Sequence, residues 1–227
     1  MNTQRCFVRY LLAPAVAAVA LPIRSHADIS LFDYAFQQDG VVETAPAALP
    51  AGSVFDLAAG LGKVQMTFAG DGPHSALFFV DHELSESVNT FFNEVGFASG
   101  TPPPAGLSWE IDEPGYTVGD IYDNFLADSL DNTVGIDSAE DVSMALGWSF
   151  LLVAGDTATV EFNLGTTPPA GFFLRHLDPE SGEAVYFSTS LTIHSQSGPV
   201  PEGSTAIAGL VSLGLVLARY RLRSPRC

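Results

Sequence analysis

Between Ser143 and Gly165 the chain reads SMALGWSFLLVAGDTATVEFNLG, and this stretch limits the fold more than any other. Met144, Leu146, Trp148, Phe150 and Leu152 occupy alternate positions. Beyond Ala154-Gly155-Asp156, so do Ala158, Val160, Phe162 and Leu164. Side chains two apart share one face of a strand, whereas a helix scatters them around its axis. Each run is therefore a strand with one apolar face that must be covered. Gly155-Asp156 supplies the backbone freedom of a tight reversal, so the spacing predicts a hairpin.

The same period recurs along the chain. KVQMTF sets Val64, Met66 and Phe68 against Lys63, Gln65 and Thr67. After the turn residues AGDGP, SALFFV is apolar on both faces, which suits a central strand. LSWEI puts Leu107, Trp109 and Ile111 on one side. GFFLRHL and AVYFSTSLTI flank DPESGE, whose Asp178, Pro179 and Gly182 predict a second hairpin. Only GDIYDNFLADSLDN breaks the rhythm. Ile121, Phe125, Leu126 and Leu130 recur at helical spacing with Asp120 placed to cap, which predicts a short helix over one sheet edge. SGTPPPAG and TTPPAG read as extended connectors. The expected fold class is all-β: a single β-sandwich, jelly-roll or Ig-like, of about eight to ten strands with one short helix. It fills residues 28–193 as one domain.

Composition narrows what that domain can do. Both cysteines, Cys6 and Cys227, lie outside it, which excludes a disulfide scaffold, a thiol nucleophile and a thiolate-bound zinc. A span of about 165 residues can bury a core without such staples. All 26 acids lie between Asp28 and Glu202, where Lys63 and Arg175 are the only Lys or Arg, so this body carries a net −24. Such a surface repels phosphate backbones, which excludes nucleic acid as a partner. It attracts cations and basic surfaces.

The two ends differ from the body. MNTQRCFVRYLLAPAVAAVALPIRSHAD has Arg5 and Arg9 ahead of an apolar core from Leu11 to Leu21, and small residues at Ser25 and Ala27. This pattern predicts a signal peptide over 1–27, removed after Ala27 by signal peptidase. HSQSGPVPE, residues 194–202, is a polar linker. Thr205 to Ala218 carries no charge, and counting on to Leu222 gives a helix of about 27 Å. That approaches the ~30 Å hydrocarbon core of a bilayer, with Arg219 and Arg221 reaching to the lipid surface. Residues 205–222 are therefore an expected transmembrane helix in contact with membrane lipid, its arginines cytoplasmic and the body outside.

Val200, Pro201 and Glu202 come first, then Gly203, Ser204 and Thr205, then the apolar helix, then Arg219, Arg221 and Arg223. This order over 200–227 resembles the PEP-CTERM sorting signal of bacterial exosortase substrates. The usual form has proline where this chain has Gly203. The resemblance implies transit: export, retention by the tail, and cutting near Pro201-Glu202 by an exosortase, a membrane-embedded cysteine transpeptidase. Pro201 and Glu202 are then read by another enzyme and are not catalytic. It also implies a cell-envelope or cell-surface location in a Gram-negative bacterium that makes exopolysaccharide. WEIDEPGY, DNFLADSLDN and LVAGDTATVEF resemble sandwich domains that precede such tails. That likeness implies no activity.

Three constellations could carry chemistry. In VDHELSE, Asp81 and Glu83 point one way from a strand end and His82 the other, with Glu86 in the turn beyond. Asn93 and Glu94 can approach from the next connection. Oxygen donors suit Ca²⁺, which takes about six to eight of them, so Asp81, Glu83 and Glu86 are the candidate ligands and Ca²⁺ the candidate cofactor. The acids of DNFLADSLDNTVGIDSAED lack EF-hand spacing. Glu110, Asp112 and Glu113, beside Trp109, are the carboxylates a glycoside hydrolase would draw on. Any acid-rich sandwich offers such pairs, and no nucleophile-elbow, zinc-protease or phosphate-loop motif accompanies them. His74, His82, His176 and His194 are scattered without ligand spacing. Trp109, Tyr116, Trp148 and Tyr186 could stack on sugars, but both tryptophans sit inside apolar stripes, where packing claims them. The expectation is a non-enzymatic, structural or adhesive protein of an exopolysaccharide-associated surface. The alternatives are a carbohydrate-binding or calcium-dependent module, and after it a secreted glycoside hydrolase.

Overall fold

The alternating runs become strands, and two sheets gather them. The computed structural model describes residues 28–195 except Pro46, Val88, Thr101, Pro102 and Asp137. In chain order the strands are β1 (Ile29–Gln38), β2 (Val41–Thr44), β3 (Val54–Asp56), β4 (Leu61–Ala69), β5 (Gly72–Leu84) and β6 (Val95–Ser99). They continue as β7 (Leu107–Asp112), β8 (Ser143–Leu152), β9 (Thr157–Gly165), β10 (Phe173–Leu177) and β11 (Ala184–His194). Among the described residues these eleven strands form two antiparallel sheets, β2-β1-β5-β8-β7 and β3-β4-β9-β11-β10-β6. The architecture is all-β with one short helix, α1 (Ile121–Leu126), and slightly richer in strands than the sequence pattern suggested.

The inward faces meet as one buried cluster. Val64, Met66 and Phe68 from β4 and Val160 and Phe162 from β9 face Phe78 and Val80 of β5 and Met144 and Leu146 of β8. The ring of Phe78 lies 5.7 Å from Phe162 and 5.9 Å from Phe187, which ties the sheets together. Burying each such side chain contributes about 1.5–3 kcal/mol. Trp148 joins this core and donates its indole N–H to Thr189 Oγ1 at 3.0 Å. Trp109 packs on Phe172. Both tryptophans are structural, as their stripes predicted.

Two expectations change. The helix covers a sheet face, not an edge. β5 runs between β1 and β8, and its outward Leu77 and Phe79 need a lid, which Ile121, Phe125 and Leu130 provide. Leu126 points to solvent, and Asp120 sits at the N-cap without a side-chain cap bond. The turn at Val153–Asp156 is tight, closed by Asp156 N–H to Val153 O at 2.9 Å with Gly155 at φ +93°, but it does not join paired neighbours. β8 already has β5 on one edge and β7 on the other, so the chain crosses and β9 pairs with β4 and β11. The β10–β11 hairpin forms as read, Leu174 opposite Phe187 and Leu177 opposite Ala184.

No helix among the described residues is long and apolar enough to cross a membrane. The expected signal peptide 1–27, the linker beyond Ser195 and the transmembrane segment 205–222 lie outside those residues. So do the sorting-signal residues Val200 to Thr205 and Arg219, Arg221 and Arg223.

Candidate functional site

The end of β5 changes character. Its alternation carries on past the apolar stretch, so Val80, His82 and Leu84 face the other sheet while Phe79, Asp81 and Glu83 face outward. All of these are buried. The last residues of β5 thus place polar groups on both sides of the strand. Ser85 follows in the left-handed region, φ +59°, which costs a non-glycine residue about 1 kcal/mol or more. Its N–H to Asp28 O at 2.9 Å and its hydroxyl to Glu183 at 2.7 Å hold that turn.

Inside the sandwich lie two histidines that their scattered positions in the sequence did not connect. His82 bonds Gly60 O through Nε2 at 3.0 Å, and a β-carbon at Gly60, φ +66°, would collide with the imidazole. His176, from β10, meets Glu94 Oε2 through its own Nε2 at 2.5 Å. The other oxygen of Glu94 accepts the Leu84 N–H at 2.9 Å. Burial favours the uncharged forms of both partners, raising the Glu94 carboxyl and lowering the His176 imidazole, so one proton is shared across the contact. Burial and then the neighbouring His176 push His82 down to about 3. Each histidine's Nδ1 has no partner among the described residues. The signal for this pair was present in the period: His82 continues the inward stripe of Phe78 and Val80, and His176 that of Leu174.

Outside the sandwich, the same end opens into a cavity of about 530 Å³. Glu83 and Glu86 come from the end of β5, Glu113 from the loop after β7, and Glu140 and Asp141 from the approach to β8. A reciprocal backbone pair between Glu94 and Glu140, 3.1 and 2.9 Å, positions that last segment. The loop carrying Glu113 closes through Gly115 N–H to Val118 O at 3.0 Å, and Gly119, φ +82°, passes too close to the Glu113 carbonyl for any side chain. The rim is apolar. Phe91 and Phe92 rise from a 3₁₀ turn capped by Thr90, and Pro114, Tyr116 and Val118 from the loop. Phe32 joins them where the β1–β5 register slips between Leu31 and Asp33.

The floor is electrostatically unfinished. Glu83 is 7 % exposed, takes part in no side-chain hydrogen bond among the described residues, and leaves Oε2 buried and unpartnered. Asp141 Oδ1 is likewise without a partner. Burial, then the charges of Asp141, Glu94 and Glu86, pushes Glu83 up to about 8. Asp141 is raised by burial, partly offset by His176, and Glu113 by burial and then Glu140. Asp81 does not line the cavity. It lies behind, its Oδ1 accepting from Ser143 at 2.9 Å and its Oδ2 from Tyr116 at 3.5 Å, and burial pushes it to about 8. Of the three candidate calcium ligands, Glu83 and Glu86 therefore share one cavity and Asp81 supports its wall.

A second acid group sits on the outer face of β7 beside α1. Glu110, Asp112 and Asp120 bring one oxygen each within 4.8 Å of one another, and among the described residues no other three acids, histidines or cysteines do so. Its buried member is already satisfied. Glu110 accepts from Asn124 Nδ2 at 3.0 Å and Asp131 N–H at 3.1 Å, and Asp112 from Asp120 N–H at 3.0 Å. Glu113, which the sequence grouped with Glu110 and Asp112, turns away into the cavity. Of the aromatic candidates only Tyr116 reaches that cavity, while Tyr186 packs on Phe173 and Arg175. No family model matches the sequence, and neither a curated protein nor a solved structure matches the chain.

Proposed function

We propose that this chain is an exported, non-enzymatic protein of the cell envelope, sorted through its PEP-CTERM-like tail by an exosortase. Its β-sandwich acts as a binding or adhesive module that takes a cation in the cavity at the end of β5. The observation that carries the binding role is the Glu83 carboxyl group, buried in the floor with an unpartnered oxygen and neighbouring acids around it. A cation entering there offsets the crowded negative charge and gives the buried carboxyl an opposite charge in one step. Ca²⁺ is the cation the sequence pattern suggested and serves as the first probe. The test is a set of thermal melts with CaCl₂ or with NaCl at matched ionic strength. A specific site occupied at about 100 times Kd adds about 2.7 kcal/mol, and Glu83→Gln removes that increment. Equal shifts in the two salts would mean screening alone.

Sorting has its own test. In a host with an active exosortase, intact-mass analysis of the envelope form gives a chain ending near Glu202. A surface form still ending at Cys227 would reduce the tail to a plain membrane anchor. A second reading of the body, a secreted glycoside hydrolase, draws on two carboxyls lining one cavity, Glu83 and Asp141, with burial raising Glu83 in the direction a general acid needs. Release of reducing ends from a polysaccharide, lost in Glu83→Gln, would replace the binding reading.

A further inference from the structure

Charge alone does not separate an inorganic cation from an organic one, but the shape of the cavity does. A Ca²⁺ ion holds its oxygens at roughly 2.4 Å, so any two of them lie within about 5 Å. The acids of this cavity bring no three ligand oxygens that close, and the group that does lies elsewhere, at Glu110, Asp112 and Asp120. A space of about 530 Å³ far exceeds a bare ion. The rim is also wrong for a hydrated metal: Phe32, Phe92 and Tyr116 are 64, 58 and 57 % exposed beside the carboxylates. Large apolar side chains left open around an acidic floor suit a ligand with an apolar stem and a cationic head. Aromatic faces attract such heads as well.

We infer that this cavity is a docking pocket for a lysine or arginine side chain presented by a protein partner. The stem lies against Phe32, Phe92 and Tyr116, and the head reaches the acidic floor, where Glu83 and Asp141 each carry a buried oxygen without a partner among the described residues. The body's own cations are engaged elsewhere. Lys63 bonds Glu161 at 2.6 Å, and Arg175 lies over Phe97 and Tyr186. An amino sugar fits the lining less well, because Thr117 and Tyr116 carry the only hydroxyl donors there to meet its ring and hydroxyl oxygens. The inference rests on the cation-binding reading of the same cavity.

The experiment is calorimetric titration of the full-length chain with four probes and a metal. The probes are Nα-acetyl-lysine amide, Nα-acetyl-arginine amide, the neutral Nα-acetyl-norleucine amide, and glucosamine; the metal is CaCl₂ at matched ionic strength. At least one basic amide binds with Kd on the order of 1 mM, as a single side chain can. Norleucine amide and glucosamine bind at least about tenfold more weakly. Glu83→Gln weakens the basic probe about tenfold or more and Phe92→Ala several-fold, with thermal melts confirming that both variants stay folded. Binding of Ca²⁺ without either basic amide would overturn the inference and leave the cation reading standing. Glucosamine as strong as the amides would move the ligand to amino sugars and overturn the protein partner. No response to any cation would remove both readings.

Discussion

Two acid groups lie on the outer side of the five-stranded sheet, and they differ in what they lack. The Glu110 group is compact, and both oxygens of its buried member, Glu110, are taken by Asn124 and Asp131, while one Asp112 oxygen accepts the Asp120 N–H. The Glu83 group is spread around a cavity, and its deepest oxygen has no partner. Proximity of carboxylates is therefore a poor guide to ligand demand. A cluster that binds itself is part of the fold, while one left short of donors is waiting for them from outside.

The largest expected difference is in stability. Glu110→Ala empties a buried position and strips the partners from the half-buried Asn124 amide and the Asp131 N–H, which costs roughly 2–4 kcal/mol. In a domain of this size that lowers Tm by about 4–14 °C. Glu83→Ala removes a buried acid that bonds to nothing, so its Tm stays within about 3 °C of wild type. Thermal melts of the two variants side by side break the comparison if Glu83→Ala falls as far as Glu110→Ala, because the cavity is then structural.

The pH profile follows. Glu83 and Asp81, both at about 8 in the folded chain, titrate near 4 when unfolded, so between those values the folded state holds more protons. Stability is full below about pH 4 for these groups and is lost as the pH rises through 8. The two buried histidines act in the opposite sense, since the unfolded chain protonates them below about 6.5. They offset the carboxylates at acid pH and are silent above it. Tm therefore falls between pH 6.5 and 8.5, and Glu83→Gln makes the fall shallower. A Tm that rises over this interval would mean the cavity acids ionise freely.

How much of this could be read from residues alone depends on range. Val64 to Phe68, Met144 to Leu152 and Ala158 to Leu164 declared their faces because a strand's period is local. The alternation of Asp81, His82 and Glu83 was legible for the same reason, and it put Glu83 on the side opposite His82, though it did not say which of the two sides is the core. Which sheet each strand joins was not legible, since the β8–β9 turn looks alike whether the chain returns or crosses. Nor was the gathering of Glu83, Glu113 and Asp141 around one cavity, or the meeting of His176 with Glu94. Those contacts come from strand order and loop paths, which no single segment encodes.

A finer separation of the two groups comes from cation response in variants. Asp120→Asn leaves any specific Ca²⁺ or alkylammonium response unchanged, because it removes only an exposed carboxylate and the buried Glu110 keeps both of its hydrogen bonds. Glu83→Gln abolishes the response. If Asp120→Asn were the variant that lost it, the compact group would be the cation site and the order of the two would reverse. The readout is the ligand-induced Tm shift at constant ionic strength, expected to be a few degrees.

The smallest signal is the proton that binding expels. Near pH 7 Glu83 is mostly protonated, since its folded value is about 8. A cation seated against Oε2 favours the carboxylate and pulls that value below the ambient pH, so binding releases up to about one proton. Two consequences are measurable. The apparent heat of binding differs between buffers of unlike ionisation enthalpy, and apparent affinity falls by up to about tenfold for each pH unit below 8. Glu83→Gln has no such proton to lose, so its residual binding is independent of buffer. Asp141 and Glu113, also raised, contribute the remainder if the wild type releases more than one. Binding without proton release would show that the cation never reaches the floor, and it would confine the contact to the aromatic rim.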